Sequence, residues 1–232
     1  MDIESLVSKG RRVRLPREQR EVAFGLADLS TNASMHEKLF KTGGVKTLVG
    51  LLRGSVDEEA QRFAALALAN VSTSNVHRVE IAREACALHH IISCLKNEGF
   101  DGIARNYCAM AVGNLASEPE NHDAIAHFGG IQALSALVKD RVAKEGDQEV
   151  SLYALFALSN LAASSNHREE IVKSGVMESA IQLAYSEDVG VQCQALAVLR
   201  GLLISSKYRP YALKQGILDP LVLLAQTEKE AG

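Results

Sequence analysis

Apolar and polar positions recur along this chain in blocks of helical period, and the longest blocks are near-copies of one another. Each is an alanine- and leucine-rich run that closes on a small or polar residue followed by an aliphatic one. The copies are Ala23-Phe-Gly-Leu-Ala-Asp28-Leu29, Leu66-Ala-Leu-Ala-Asn70-Val71, Met110-Ala-Val-Gly-Asn114-Leu115, Phe156-Ala-Leu-Ser-Asn160-Leu161 and Ala197-Val-Leu-Arg-Gly201-Leu202. The closing position falls at 28, 70, 114, 160 and 201, in steps of 42, 44, 46 and 41 residues. A helix that is apolar on most sides must lie between other layers. A period of this length with helices alone defines a solenoid, in which each unit buries its faces on its neighbours.

Within the period the pattern predicts three helices. A short one from His167 to Lys173 stops at Ser174-Gly175, where glycine supplies the positive φ of a sharp corner. A second runs from Val176 to Ala184 with an apolar stripe at Val176, Ala180, Ile181 and Leu183. The third spans Val189 to Leu203 after the polar break Ser186–Asp188. Gly43-Gly44, Gly129-Gly130 and Gly216 mark the same corner elsewhere, whereas Ala85-Cys86 predicts a less sharp or lengthened turn. Lys139–Asp147 is charged throughout much of its length and is predicted to be a loop. Ile3, Leu6 and Val7 resemble the tail of a second helix. Residues 1–16 are therefore expected to be a partial repeat or cap, 17–225 a solenoid of about five units, and 226–232 a polar tail. Ile217 to Ala225 is another second helix with no long helix after it, so a segment of a longer array is expected.

Composition narrows the function. Hydrophobic residues make up 47% of the chain and aromatics 5%, with no Trp, as suits helices packed through Ala and Leu. A net charge of −3 argues against nucleic acid as partner, because phosphate binding needs a basic excess. No apolar run approaches the ~18 residues of a membrane helix. Cys86, Cys94, Cys108 and Cys193 form no Cys-x-x-Cys motif and read as reduced core thiols of a cytoplasmic or nuclear protein. His36, His122 and His167 each precede their corner by seven residues, which points to a structural role in every layer rather than to a metal. No nucleophile elbow, phosphate-cradling loop or carboxylate pair is present, so neither catalysis nor a cofactor is expected. Lys9–Arg14, with Arg17 and Arg20, is a basic cluster that reads as a solvated linker, a targeting signal or a tether to anionic partners.

The corner glycine and the Ala-x-x-Leu-x-Asn-Leu ending, in register five times, resemble the armadillo-repeat family rather than the HEAT family. The resemblance covers about Arg17 to Ala225 and implies an all-α, right-handed superhelical solenoid of three-helix repeats. It also implies that the Asn near the end of the third helix lines a concave face and hydrogen-bonds the backbone of an extended peptide. Asn70, Asn114 and Asn160 match that position, while Asp28 and Gly201 depart from it. Importin-α-like members pair this Asn with a Trp four residues earlier; here Phe24, Leu66, Met110, Phe156 and Ala197 stand there. The implied function is therefore a non-catalytic protein-interaction scaffold. A nuclear transport adaptor and an assembly element that self-associates through exposed terminal repeats are the alternatives.

Two turns before the closing position stand Arg20, Arg62, Asn106, Leu152 and Cys193. This predicts a groove that is basic at its N-terminal half, joined by Arg105, and walled by Tyr107, Tyr153 and Phe156. An acidic or phosphorylated protein segment with an apolar anchor would complement it; the competing reading pairs the arginines with acidic neighbours such as Glu21 and Glu59. Layers about 8–10 Å apart match about three residues of an extended chain.

Overall fold

The computed structural model describes residues 2–144 and 148–222. The described residues contain helices and turns and no strand. They cluster into two compact units, Met1–Ala133 and Leu134–Gly232.

In the first unit, α1 (Ile3–Gly10) and α2 (Pro16–Ser30) precede a full repeat of α3 (His36–Lys41), α4 (Gly44–Gly54) and α5 (Glu58–Val71). A second repeat follows as α6 (Arg78–Arg83), α7 (Ala87–Lys96) and α8 (Gly102–Leu115), and α9 (His122–His127) continues the pattern; α10 (Gly130–Lys144) starts here but lies mostly in the second unit. The long helices α2, α5 and α8 form a row with α5 in the middle, and α1, α4 and α7 form a second row against them. The middle helix shows why the long helices are so rich in alanine. Ala60, Ala64, Ala65, Ala67, Leu68, Ala69 and Val71 are all buried between neighbours, and small side chains let the helices approach closely on two sides.

The second unit contains α11 (Gln148–Ala163), α12 (Arg168–Lys173), α13 (Val176–Leu183), α14 (Val189–Leu203) and α15 (Arg209–Lys214). Here α11 packs along α14, and α13 covers another side of α14. Helix boundaries for 167–203 follow the sequence pattern closely. A further helical stretch occupies 218–222. The expected remainder of that helix and the polar tail at 226–232 lie outside the described residues.

The corners are set by backbone conformation. Gly43, Gly129, Gly175 and Gly216 have φ of 82, 75, 81 and 85°, the left-handed region that costs glycine nothing. Cys86 occupies the same corner with φ 56°. The expected blunter turn at Ala85-Cys86 is thus corrected: the chain keeps the left-handed corner without glycine, entering it through a short 3-10 turn over Glu84–Cys86. The predicted loop at Lys139–Asp147 is also corrected over 139–144, which extends α10. No glycine or proline interrupts the chain until Gly146, so the apolar stripe ends but the helix does not. Residues 145–147 lie outside the described part.

The long helices α5, α8 and α14 start on acidic caps. Asp57, Asp101 and Asp188 accept from the N–H of Ala60, Ala104 and Val191 at 2.9, 2.8 and 3.0 Å, each such cap contributing about 1 kcal/mol. The long helices α2 and α8 end on histidine, while α5, α11 and α14 end on the Nε of Arg78, Arg168 and Arg209, which donate to Ser72 O, Ala162 O and Leu203 O at 3.2, 2.8 and 3.0 Å. The Nε2 of His36 and His122 lies 2.8 Å from the carbonyl oxygens of Ser30 and Ala116. A carbonyl only accepts, so each ring carries its proton on Nε2. His167 and Tyr208 are buried at the same point of their repeats. Among the described residues no cluster of His, Cys, Asp or Glu could hold a metal, and no single helix is long and apolar enough to cross a membrane. All four cysteines are free, but only Cys94 and Cys108 are buried. Cys86 and Cys193 are exposed, correcting the expectation of four core thiols: one sits at a corner and the other on the long-helix face.

Candidate partner-binding face

Positions 0, −4 and −7 relative to the closing residue share one helix face. In the first unit that face carries Asp28, Asn70 and Asn114 in one row, with Phe24, Leu66 and Met110 beside them and Phe63 and Tyr107 a turn further back. Phe24 is 56% exposed and meets Phe63 edge-to-face, ring centroids 5.2 Å apart. Leu66, Tyr107 and Met110 are half-buried. The result is an accessible apolar strip edged by polar groups.

The asparagines have a defined orientation. Asn70 Nδ2 donates to Ser30 Oγ at 3.0 Å. Asn114 Nδ2 donates to Ala69 O and Ser72 Oγ at 3.1 and 3.2 Å. Each serine hydroxyl spends its one proton on a carbonyl of its own helix, Ser30 on Ala27 at 2.6 Å and Ser72 on Ala69 at 2.7 Å. The hydroxyls can therefore only accept from the amides, which fixes Nδ2 inward and leaves both Oδ1 atoms as solvent-accessible acceptors. Each Asn thus ties its helix to the preceding one and presents a carbonyl outward. Asp28 is exposed and has no ion pair among the described residues, so the row reads carboxylate, carbonyl, carbonyl.

The arginines do something else. Arg20 holds Asp57 at 2.5 Å and Glu59 at 2.6 Å. Arg62 holds Asp101 at 2.7 Å and reaches toward Glu58 at 3.8 Å. Asp57 and Asp101 are the caps of α5 and α8, so each arginine clamps the start of the next long helix. The guanidinium hydrogen bonds hold both carboxyls below their usual range, and Asp57 in turn raises Arg20. The predicted basic half-groove is accordingly corrected: its charges are neutralised within the unit. Arg105 is also drawn inward, donating to Leu95 O at 3.2 Å at the end of α7. Asn106, expected on the groove, is buried.

In the second unit Asn160, Tyr153 and Phe156 are half-buried on α11. Leu152 occupies the arginine position there and packs over Gly190, an added Cβ at which would stand 3.4 Å from it. Gly201 replaces the asparagine because α14 approaches Ala162 closely: a Cβ would lie 2.8 Å from the Ala162 Cβ. Sequence reasoning missed Ser30, Ser72 and the clamped caps. The signal was present, since Ser30 and Ser72 each lie two residues past the closing position, one repeat before an Asn.

Stacked three-helix repeats with left-handed corners and an accessible row on the long helices define a helical-repeat solenoid. Comparison with known proteins specifies which one. The family described as Armadillo/beta-catenin-like repeat matches residues 164–204, and the fold is the all-α solenoid of armadillo-repeat structures. An engineered protein of known crystal structure is 28% identical, with a TM-score of 0.84 over 97% of this chain and 89% of that one. A designed armadillo repeat protein superimposes with a TM-score of 0.85 over 96% of this chain and 92% of its own, at 20% identity. Among curated proteins, U-box domain-containing protein 19 of Arabidopsis thaliana is 23% identical over 75% of this chain. Importin subunit alpha-5 of the same plant is 24% identical over 72%. The chain spans 25% and 31% of the length of these two relatives.

Proposed function

We propose that this chain is a non-catalytic scaffold that holds an extended segment of a partner protein on the long-helix face, with Asn70 and Asn114 accepting from backbone N–H groups. The observation that carries this is the fixed orientation of the two amides, whose Oδ1 atoms face outward beside an apolar strip. An extended chain sends successive groups to opposite edges, so N–H groups on one edge are an even number of residues apart. Phe24 and Phe63 are the apolar anchor. Because Arg20 and Arg62 are already paired, the open row favours a segment rich in donors over an acidic or phosphorylated one. A designed armadillo repeat protein in complex with peptide (KR)4 shares the fold, with a TM-score of 0.83, which supports the general reading.

The test is affinity for peptides selected against the wild-type protein. Asn70→Ala/Asn114→Ala removes two acceptors and is expected to weaken binding about tenfold or more, at roughly 0.5–1.5 kcal/mol per hydrogen bond. Ser30→Ala/Ser72→Ala removes groups that orient the amides but keeps both acceptors, and should weaken binding less than the Asn double variant does. Full affinity in a folded Asn double variant contradicts the proposal.

Self-association is the second reading, favoured by the exposed Leu213, Leu218, Leu221 and Val222. Sedimentation equilibrium across concentrations tests it, and a constant monomer mass removes it.

A further inference from the structure

A second feature of the first unit lies away from the long-helix face. The turn joining α1 to α2 folds beside α4 and leaves a cleft of about 580 Å³, within the range of small-molecule sites. Arg11, Arg14 and Lys46 line it together with Thr47, Gly50 and Gly54, and no carboxylate does. The three cations have no acidic partner among the described residues, whereas Lys9, Arg20, Lys38 and Arg62 nearby are all paired. Two of them are also oriented. Arg11 Nη2 donates to Thr42 O at 3.4 Å, over the Gly43 corner, and Arg14 Nη1 donates to Val13 O at 3.2 Å. A guanidinium has five N–H donors, so each keeps most of its donors for a ligand.

The glycines add an independent argument. Gly50 and Gly54 sit one turn apart on the exposed side of α4, and a Cβ at either would meet nothing within 4 Å. Glycine inside a helix costs up to about 1 kcal/mol relative to alanine, and no packing demand accounts for Gly50, while Gly54 closes the helix. Their effect is to keep the wall of the cleft open beside the three cations.

We propose that this cleft binds a compact polyanion of two or three phosphoryl groups, carried on a soluble molecule or on a lipid headgroup. Charge-assisted hydrogen bonds from planar guanidiniums suit phosphoryl oxygens, and the open glycine wall admits the group carrying them. The proposal is independent of the long-helix face.

The test is titration calorimetry of the full chain with inorganic tripolyphosphate, beside flotation with phosphatidylcholine vesicles with and without phosphatidylinositol bisphosphate. Tripolyphosphate is expected to bind wild type and to lose about tenfold or more in affinity with Arg11→Ala/Arg14→Ala/Lys46→Ala. Gly50→Leu keeps every charge, fills the cleft from open space, and is expected to lose binding equally. The charge-matched control Lys41→Ala/Arg53→Ala/Arg83→Ala should bind as wild type. Vesicle capture lost in the same variants assigns the headgroup as the source; tripolyphosphate binding without vesicle capture assigns a soluble ligand. No binding of tripolyphosphate, equal loss in the control, or unimpaired binding by Gly50→Leu overturns the proposal.

Discussion

The junctions between long helices are built in two ways. In the first unit, α2 meets α5 and α5 meets α8 through a serine–asparagine tie at one end and an arginine–aspartate clamp at the other. In the second unit α11 meets α14 with Ala162 against Gly201 and Leu152 over Gly190. The same repeat positions serve both junctions. Where a serine–asparagine pair ties the helices, an acceptor is left facing outward; where Ala162 meets Gly201 that pair is replaced by close packing, with Ser159 Oγ on α11 3.4 Å from Gln194 Oε1 on α14. On the proposed function, the capacity to bind a backbone is a by-product of how a layer is fastened.

The largest way to break this contrast is to write the polar solution into the close-packed junction. Gly201→Asn drives a side chain into Ala162, and overpacking of this kind costs about 1–3 kcal/mol; urea denaturation should show it, and a neutral effect would mean that α14 can move away. Next comes the tie itself. A double-mutant cycle on Ser30→Ala and Asn70→Ala should return a coupling of about 0.5–1.5 kcal/mol, with zero coupling identifying the contact as incidental.

The corners offer a smaller and opposite effect. Gly175 turns the second unit at no steric cost, while Cys86 turns the first in a conformation unfavourable to a side chain. Cys86→Gly should therefore stabilise by about 0.5–1 kcal/mol in thermal or chemical unfolding, net of glycine's entropy in the unfolded chain.

The arginine clamps should contribute least at neutral pH, because the Arg20 and Arg62 side chains remain 48% and 34% exposed to screening solvent although Asp57 and Asp101 are nearly buried. Asp57 and Asp101 have folded values below their unfolded ones. Their contribution is present above the unfolded value of about 3.9 and is lost as pH falls through the folded values. The melting temperature should accordingly fall more gently with acid in Arg20→Leu/Arg62→Leu than in wild type. An unchanged slope would show that the clamps do not couple to folding.

Much of the fold was legible because it is written in periodicity. The closing positions, the glycine corners and the helix limits of 167–203 depend on local pattern, and the structure follows them. The predicted loop at 139–147 proves helical over 139–144, because Lys, Arg and Ala are good helix formers and charge alone does not end a helix. The site was less legible because its chemistry depends on partners one repeat away. Arg20 and Arg62 look like a basic groove until Asp57 and Asp101 are placed beside them. Asn70 looks able to pair with both groups of a peptide until Ser30 takes its amide. Gly201 looks like a lost asparagine until Ala162 is found against it. Each correction joins residues about 35–45 positions apart, the reach of one repeat, which a pass along the chain does not compare.

The outward carbonyls of Asn70 and Asn114 are the centre of the account, and amide hydrogen exchange of a bound, isotope-labelled peptide addresses them most directly. The account predicts strong protection at two peptide amides an even number of residues apart, with protection at one lost in Asn70→Ala and at the other lost in Asn114→Ala. Uniform exchange along the bound peptide, or a protection pattern indifferent to both substitutions, would contradict it.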